Sequence, residues 1–147
     1  VDMAMATTGS IGKVGSDCDV RLVGEEQTDV PVGKPGEIWV KGANILARYW
    51  QDPEQTNAAL VDGWFRTGDV ATKDENDLFW FNDRLKHIII SGGENIYPAE
   101  VENALMSHPD IADAAAVGIP DDKWGETVKG FVILKQDSNI TEKEIIA

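Results

Sequence analysis

The residues of this chain best suited to chemistry lie between positions 67 and 124. Asp69 follows a glycine in Thr67-Gly68-Asp69, a tripeptide suited to a tight bend. A carboxylate there can accept two hydrogen bonds from a vicinal diol such as a ribose, and its charge makes them stronger than a neutral acceptor would. Arg84 could add a forked donor to the same sugar or to a phosphate oxygen, a task that guanidinium geometry suits better than an ammonium. Each has an ordinary alternative: Thr-Gly-Asp is a common turn, and Arg84 could form a weak surface ion pair with Asp83 or Asp77.

Gly92-Gly93 separates the apolar Ile88-Ile89-Ile90 from Glu94. With no Cβ on either residue, a thin chain or another backbone can approach closely, and the same pair can equally form a hairpin turn. Trp124 is a large ring in the polar loop Pro120-Asp121-Asp122-Lys123-Trp124-Gly125-Glu126, either exposed for binding or tucked in to close a core. His87 and His108 titrate near neutrality, but neither has a nucleophile or partner at a suggestive spacing. His108 precedes Pro109 at an expected helix end, where a positive charge is mildly favourable. Glu100, Glu102, Asp121 and Asp122 read as solvated faces, and Trp39, Trp50, Trp80 and Tyr97 as packing residues.

The elements that must position these residues follow from periodicity and turn chemistry. Residues 19–23 and 36–42 read as strands of a small antiparallel or barrel-like unit. Asp52-Pro53-Glu54 supplies an N-cap, a proline at the first helical position and an acid at the positive end of a helix running to about Leu60. Strands are expected at residues 64–65 and 70–72 around the Thr67-Gly68-Asp69 bend, then a polar turn at 73–77 and an aromatic strand at 78–81. Residues 82–86 are the charged interruption between two apolar strands, and the domain boundary is placed there. Beyond it the pattern gives a strand at 87–91, a helix from Pro98 ended by His108-Pro109, a buried strand at 111–119, a strand at 127–134 and a helix opening at Thr141 with a capping-box pattern. The fold class is α+β, a β-rich part followed by a small domain with one sheet covered by helices.

Composition narrows the function. The 147 residues are 42% hydrophobic and 27% charged, a globular balance. The net charge of −13 is spread along the chain, −7 over residues 1–82 and −6 over 83–147, and repels phosphate backbones, so no nucleic-acid partner is expected. A single cysteine, Cys18, excludes an internal disulfide and makes a structural zinc site implausible beside two histidines, which fits a cytoplasmic setting. No apolar stretch approaches the roughly 18 residues that suggest a transmembrane segment. The start lacks an initiator Met and the end falls inside an apparent helix, so the chain is expected to be a piece of a longer protein.

Trp64-Phe65-Arg66-Thr67-Gly68-Asp69 and the unbroken run from Asp83 to Glu102, with Ser91-Gly92-Gly93-Glu94-Asn95-Ile96-Tyr97-Pro98-Ala99-Glu100-Val101-Glu102 as its strongest part, resemble the adenylate-forming enzymes, specifically the AMP-forming acyl-CoA synthetases. The resemblance covers nearly the whole chain. It implies that residues 1–82 are the β-rich end of the large AMP-binding domain, 83–86 a hinge, and 87–147 a truncated C-terminal domain. It further implies that Asp69 and Arg84 hold the ribose and adenylate, that Lys86 is the hinge residue, and that Gly92, Gly93 and Trp124 guide CoA. By the same resemblance the phosphate loop, adenine-binding segment and acyl pocket lie upstream of Val1 and the catalytic lysine downstream of Ala147, leaving no catalytic residue and no metal ligand within the chain.

The function so implied is ATP-dependent ligation of a fatty or aryl acid to CoA through an acyl-adenylate, with ATP, Mg²⁺ and coenzyme A as cofactors and a small carboxylic acid as substrate. The isolated piece is expected to be inactive, and a homo-oligomer is left open. Two alternatives stand beside it: an adenylation domain that loads a carrier protein, and, for the excised piece, a folded domain without catalysis. Departures from the family pattern are Asp77 and Arg48 where glycine is usual, and Ile90 where luciferases and plant coumarate ligases tend to carry lysine. Asp77 can adopt the left-handed turn conformation that glycine would supply.

Overall fold

A computed structural model describes residues 9–136 and 138–146 and divides the chain into two compact units, Val1–Leu85 and Lys86–Ala147. The first unit is built on one antiparallel sheet. Its strands are β1 (Asp19–Val23), β2 (Pro35–Lys41), β3 (Leu60–Val61), β4 (Trp64–Lys73) and β5 (Phe79–Arg84), with the short helix α1 (Pro53–Ala59) between β2 and β3. The order is β1-β2-β4-β3, with β5 also paired to β4. Leu22, Ala71 and Phe79 form the buried cluster, flanked by Val20, Val30 and Ile38. Helix α1 begins as the sequence predicts: the Asp52 carboxylate accepts from the Gln55 amide at 2.8 Å, and Pro53 occupies the first turn, where its missing N–H costs nothing.

The 74–78 turn also follows from its residues. The Asp74 carboxylate accepts from the amides of Asn76 (2.8 Å) and Leu78 (3.0 Å) and from the Trp80 indole (3.1 Å), which fixes the reversal between β4 and β5. Asp77 takes φ +60°, the left-handed conformation that a short polar side chain tolerates. The backbone Leu78 bond, with those from the indole and Asn76, holds the Asp74 carboxyl below its ordinary value of 3.8.

The second unit contains the hairpin β6 (Ile89–Ser91) and β7 (Glu94–Ile96), helix α2 (Pro98–Met106), the long strands β8 (Ile111–Asp121) and β9 (Gly125–Leu134), and helix α3 (Glu142–Ile146). Its sheet runs β7-β6-β9-β8, antiparallel throughout. Helix α2 packs on β8, where the Glu102 carboxylate accepts from the Ala116 amide at 2.9 Å. Among the described residues, Ile89, Pro98, Ile111 and Ala116 are its buried apolar side chains.

The α+β class holds, and four local expectations change. The two strands expected around Thr67-Gly68-Asp69 are one strand, β4, because a bulge carries the bend without ending the pairing. Strand β5 runs on through Arg84, so Asp83 and Arg84 are paired with β4 and Asn82 sits at an irregularity in the same strand. Strand β7 was not expected; it forms because Gly92-Gly93 closes a hairpin. Strand β8 buries only Ile111 and Ala116, so it is a one-faced strand and not the fully buried one its apolar run suggested. Among side chains, Trp39 is buried but Trp50 is 80% exposed, against its reading as a packing residue. Glu102 and Asp121 serve backbone amides instead of lying on solvated faces.

Candidate functional site

The Asp69 bend is a bulge that the sheet itself accommodates. On β2 the register advances from Glu37 to Trp39, while on β4 it goes from Val70 to Arg66, leaving Thr67, Gly68 and Asp69 partly out of the ladder. Their polar groups are taken up by side chains. The Thr67 hydroxyl donates to the Ile38 carbonyl at 2.8 Å and accepts from the Asp69 amide at 3.1 Å, while the Gly68 amide donates to a Glu37 carboxylate oxygen at 3.1 Å. Gly68 has φ +73°, a conformation in which a Cβ would be strained.

Arg84 lies directly opposite Asp69 in the β4–β5 register. Its Nε is 3.0 Å from the Asp69 carboxylate, and a terminal nitrogen donates to the Thr67 carbonyl at 3.2 Å. The guanidinium thus bridges the two ends of the bend, and it forms an ion pair with Asp69. Asp77 pairs with Lys73 at 3.3 Å. Asp69 and Arg84 keep 35% and 48% of their side-chain surface exposed, so both can still meet a ligand. A carboxylate and a forked cation side by side suit a polar ligand bearing hydroxyls next to an anionic group.

In the second unit, Gly92 (φ +60°) and Gly93 (φ +88°) occupy both central positions of the two-residue β6–β7 turn, which requires left-handed backbone at each. The Gly92 amide donates to the Trp124 carbonyl at 2.8 Å, and the Trp124 ring lies so close that a Cβ on residue 92 would stand 2.7 Å from its Cε3. The Asp121 carboxylate accepts from the amides of Lys123 and Trp124 at 2.9 and 2.8 Å, shaping the loop that carries the ring. Lys123 Nζ sits 4.2 Å from the ring centroid, and the ring remains 49% exposed. Glu126 accepts from the Ile90 amide at 2.9 Å and anchors β6 beside the turn. Gly92 and Trp124 are therefore in contact, with Gly93 next in the same turn.

Lys86 is exposed in a single 3₁₀ turn, Leu85–His87. His108 lies just past the Ser107 cap of helix α2 and accepts from the Asp110 amide at 3.2 Å. An open cavity of about 410 Å³ is lined by Arg48, Tyr49, Trp50, Asp52, Pro53 and Thr56, and none of the predicted site residues borders it. Among the described residues there is no group of three or more His, Cys, Asp or Glu side chains able to hold a metal ion, and no helix is long and apolar enough to cross a membrane. Glu37 and Glu126 carry little signal in the sequence. Their only signal is an acid inside or at the start of an apolar strand, where an acid needs a buried partner.

The family model for the AMP-binding enzyme matches residues 1–50, and that for the AMP-binding enzyme C-terminal domain matches residues 100–147. A feruloyl-CoA synthase from an Amycolatopsis species is 49% identical over 139 residues, which cover 95% of this chain and include every site residue named above. The chain belongs to the adenylate-forming enzymes.

Solved structures of this family place the same fold over both units. The o-succinylbenzoate CoA synthetase of Bacillus subtilis, in complex with the acyl-adenylate intermediate, matches at TM-score 0.80 and 37% identity over 89% of this chain and 27% of that one. With ATP and a magnesium ion the same enzyme matches at TM-score 0.81 and 34% identity over 95% and 29%. An amide bond synthetase from Marinactinospora thermotolerans matches at TM-score 0.85 and 36% identity over 93% of this chain and 28% of that one. The chain spans 28% of the length of the feruloyl-CoA synthase it matches.

Proposed function

We propose that the enzyme carrying this segment is an AMP-forming ligase that joins a carboxylic acid to coenzyme A. In the first step a carboxylate oxygen attacks the α-phosphorus of ATP, the bond to the bridging oxygen breaks, and pyrophosphate leaves with its electron pair. In the second, the CoA sulfur attacks the acyl carbon, AMP departs, and the thiol proton passes to solvent. Activation replaces a carboxylate oxygen, a poor leaving group, with a phosphate ester that leaves readily.

The observation that carries the reading is the Asp69–Arg84 pair, held at 3.0 Å on opposite positions of two paired strands and left partly exposed. Asp69 would accept from the ribose hydroxyls, and Arg84 would neutralise Asp69 while offering its remaining donors to an adenylate oxygen. Gly92, Gly93 and Trp124 would border the path of the CoA thiol, the glycines because they keep side chains out of it. Lys86, in its short turn between the two units, would be the point of backbone rotation. Magnesium would enter with the nucleotide, and none of these roles depends on it. They are positioning roles, in keeping with chemistry carried by an activated phosphate. Similarity to a feruloyl-CoA synthase supports an aryl acid as substrate; similarity to an amide bond synthetase keeps an amine in view as a competing acceptor.

The test is pyrophosphate release by the full-length enzyme over a panel of aryl and fatty acids, with and without CoA, in the wild type and in Asp69→Ala. Acid-dependent release with thioester formation, raised ATP KM and slowed adenylation in the variant is expected. Undiminished activity of Asp69→Ala, or acid-dependent release that never yields a thioester, would overturn the corresponding half of the reading.

A further inference from the structure

We propose that Glu37 is a positioning residue for the nucleotide, acting through the Thr67-Gly68-Asp69 bulge; the proposal rests on the reading of Asp69 as the ribose acceptor. Glu37 lies on β2, across the sheet from the bulge, and is only 8% exposed. One carboxylate oxygen accepts from the Gly68 amide at 3.1 Å. The other accepts from the Trp39 indole at 2.8 Å and from Arg66, with both Arg66 contacts at 3.2 Å.

The arrangement divides one carboxylate between two tasks. Arg66 and Trp39 hold its charge in place on one side, and on the other it supplies the acceptor that the ladder denies to Gly68. Gly68 immediately precedes Asp69, and the residues on either side of it are fixed by the Thr67 hydroxyl and by Arg84. Removing the Gly68 acceptor would free the middle of the bend while both ends stay tethered, so Asp69 would lose its set orientation without the sheet coming apart. Arg66 keeps 37% of its side-chain surface exposed, so its ion pair with Glu37 adds little stability. The carboxylate is therefore better explained by the amide it positions than by the salt bridge it makes.

Glu37→Gln is the sharp test, because either orientation of the amide sets an N–H donor against a donor. One orientation opposes Gly68 N–H, and the other opposes Trp39 and Arg66. In the full-length enzyme, adenylation is measured with ATP and with 2′,3′-dideoxy-ATP, which lacks the diol, on a single preparation so that any loss of folded protein cancels in the ratio. Glu37→Asp, which keeps the charge beside Arg66 but withdraws it from Gly68, is measured alongside. Both variants are expected to raise the KM for ATP on the order of tenfold, leave the KM for the carboxylic acid unchanged, and lose nothing further with the dideoxy nucleotide, as Asp69→Ala should. Equal losses with the two nucleotides would overturn the proposal and leave Glu37 a structural residue. If Asp69→Ala itself fails to distinguish the nucleotides, the ribose reading of Asp69 falls, and the role of Glu37 falls with it.

Discussion

Gly92→Ala places a methyl group where the structure has none to spare. Two costs arise. Residue 92 has φ +60°, and an L side chain there costs about 1–2 kcal/mol. The new Cβ would also stand 2.7 Å from Trp124 Cε3 and 3.1 Å from Cζ3, and such overpacking typically costs about 1–3 kcal/mol. The sum is roughly 2–5 kcal/mol, taken from the β6–β7 hairpin and its pairing with β9. In a Trp124→Ala background the second cost disappears, and the same substitution should cost only the backbone part, about 1–2 kcal/mol. Hydrogen exchange on peptides covering β6, β7 and β9 reads these local opening energies in all four proteins of the cycle. The coupling also has a functional side: tilting the ring off residue 92 should slow thioester formation more than pyrophosphate release. Equal costs in the two backgrounds would refute the contact between ring and glycine, and no cost in either would refute the left-handed backbone.

Two further outcomes are expected. Arg84→Lys keeps the charge opposite Asp69 but cannot reach both its carboxylate and the Thr67 carbonyl; since the pair is half exposed, stability should change by less than about 1 kcal/mol while the ATP KM rises several-fold, and a melting shift without a KM change would count against the bridging role. Asp74 has its carboxyl lowered by the Leu78 amide, so the charged form stabilises the fold above the ordinary value of 3.8 and that contribution is lost as pH falls through the lower folded value; the gap in melting temperature between wild type and Asp74→Asn should therefore narrow as pH drops below about 4, and a gap independent of pH would contradict it.

Local chemistry made much of this protein legible. Asp52-Pro53 announced helix α1, Asp77 suited a left-handed turn, and the paired glycines marked a turn, because in each case the residue type meets a need within a few positions of itself. The motifs likewise single out Asp69, Arg84, Gly92 and Trp124 as candidate site residues. What stayed hidden were relations across the sheet. The sequence contains Thr67-Gly68-Asp69, but that the bend is a bulge within one continuous strand depends on β2 pairing along its far side. It contains Asp69 and Arg84, but whether Arg84 pairs with Asp69, Asp83 or Asp77 is decided by register.

Glu37 makes the division plain. As a letter in Gly36-Glu37-Ile38-Trp39 it is an acid in an apolar strand with no evident purpose. Its meaning comes from Gly68, far along the chain, whose amide lacks a ladder partner, and from Arg66, whose charge makes a buried carboxylate tolerable. The same holds for Gly92, which sequence marks as a turn and tertiary structure marks as the floor beneath Trp124. Backbone preferences, caps and turns are short-range energies and are written in neighbouring residues. Strand register and the pairing of buried charges arise from contacts between residues distant in sequence, and they become definite only when the sheet has formed.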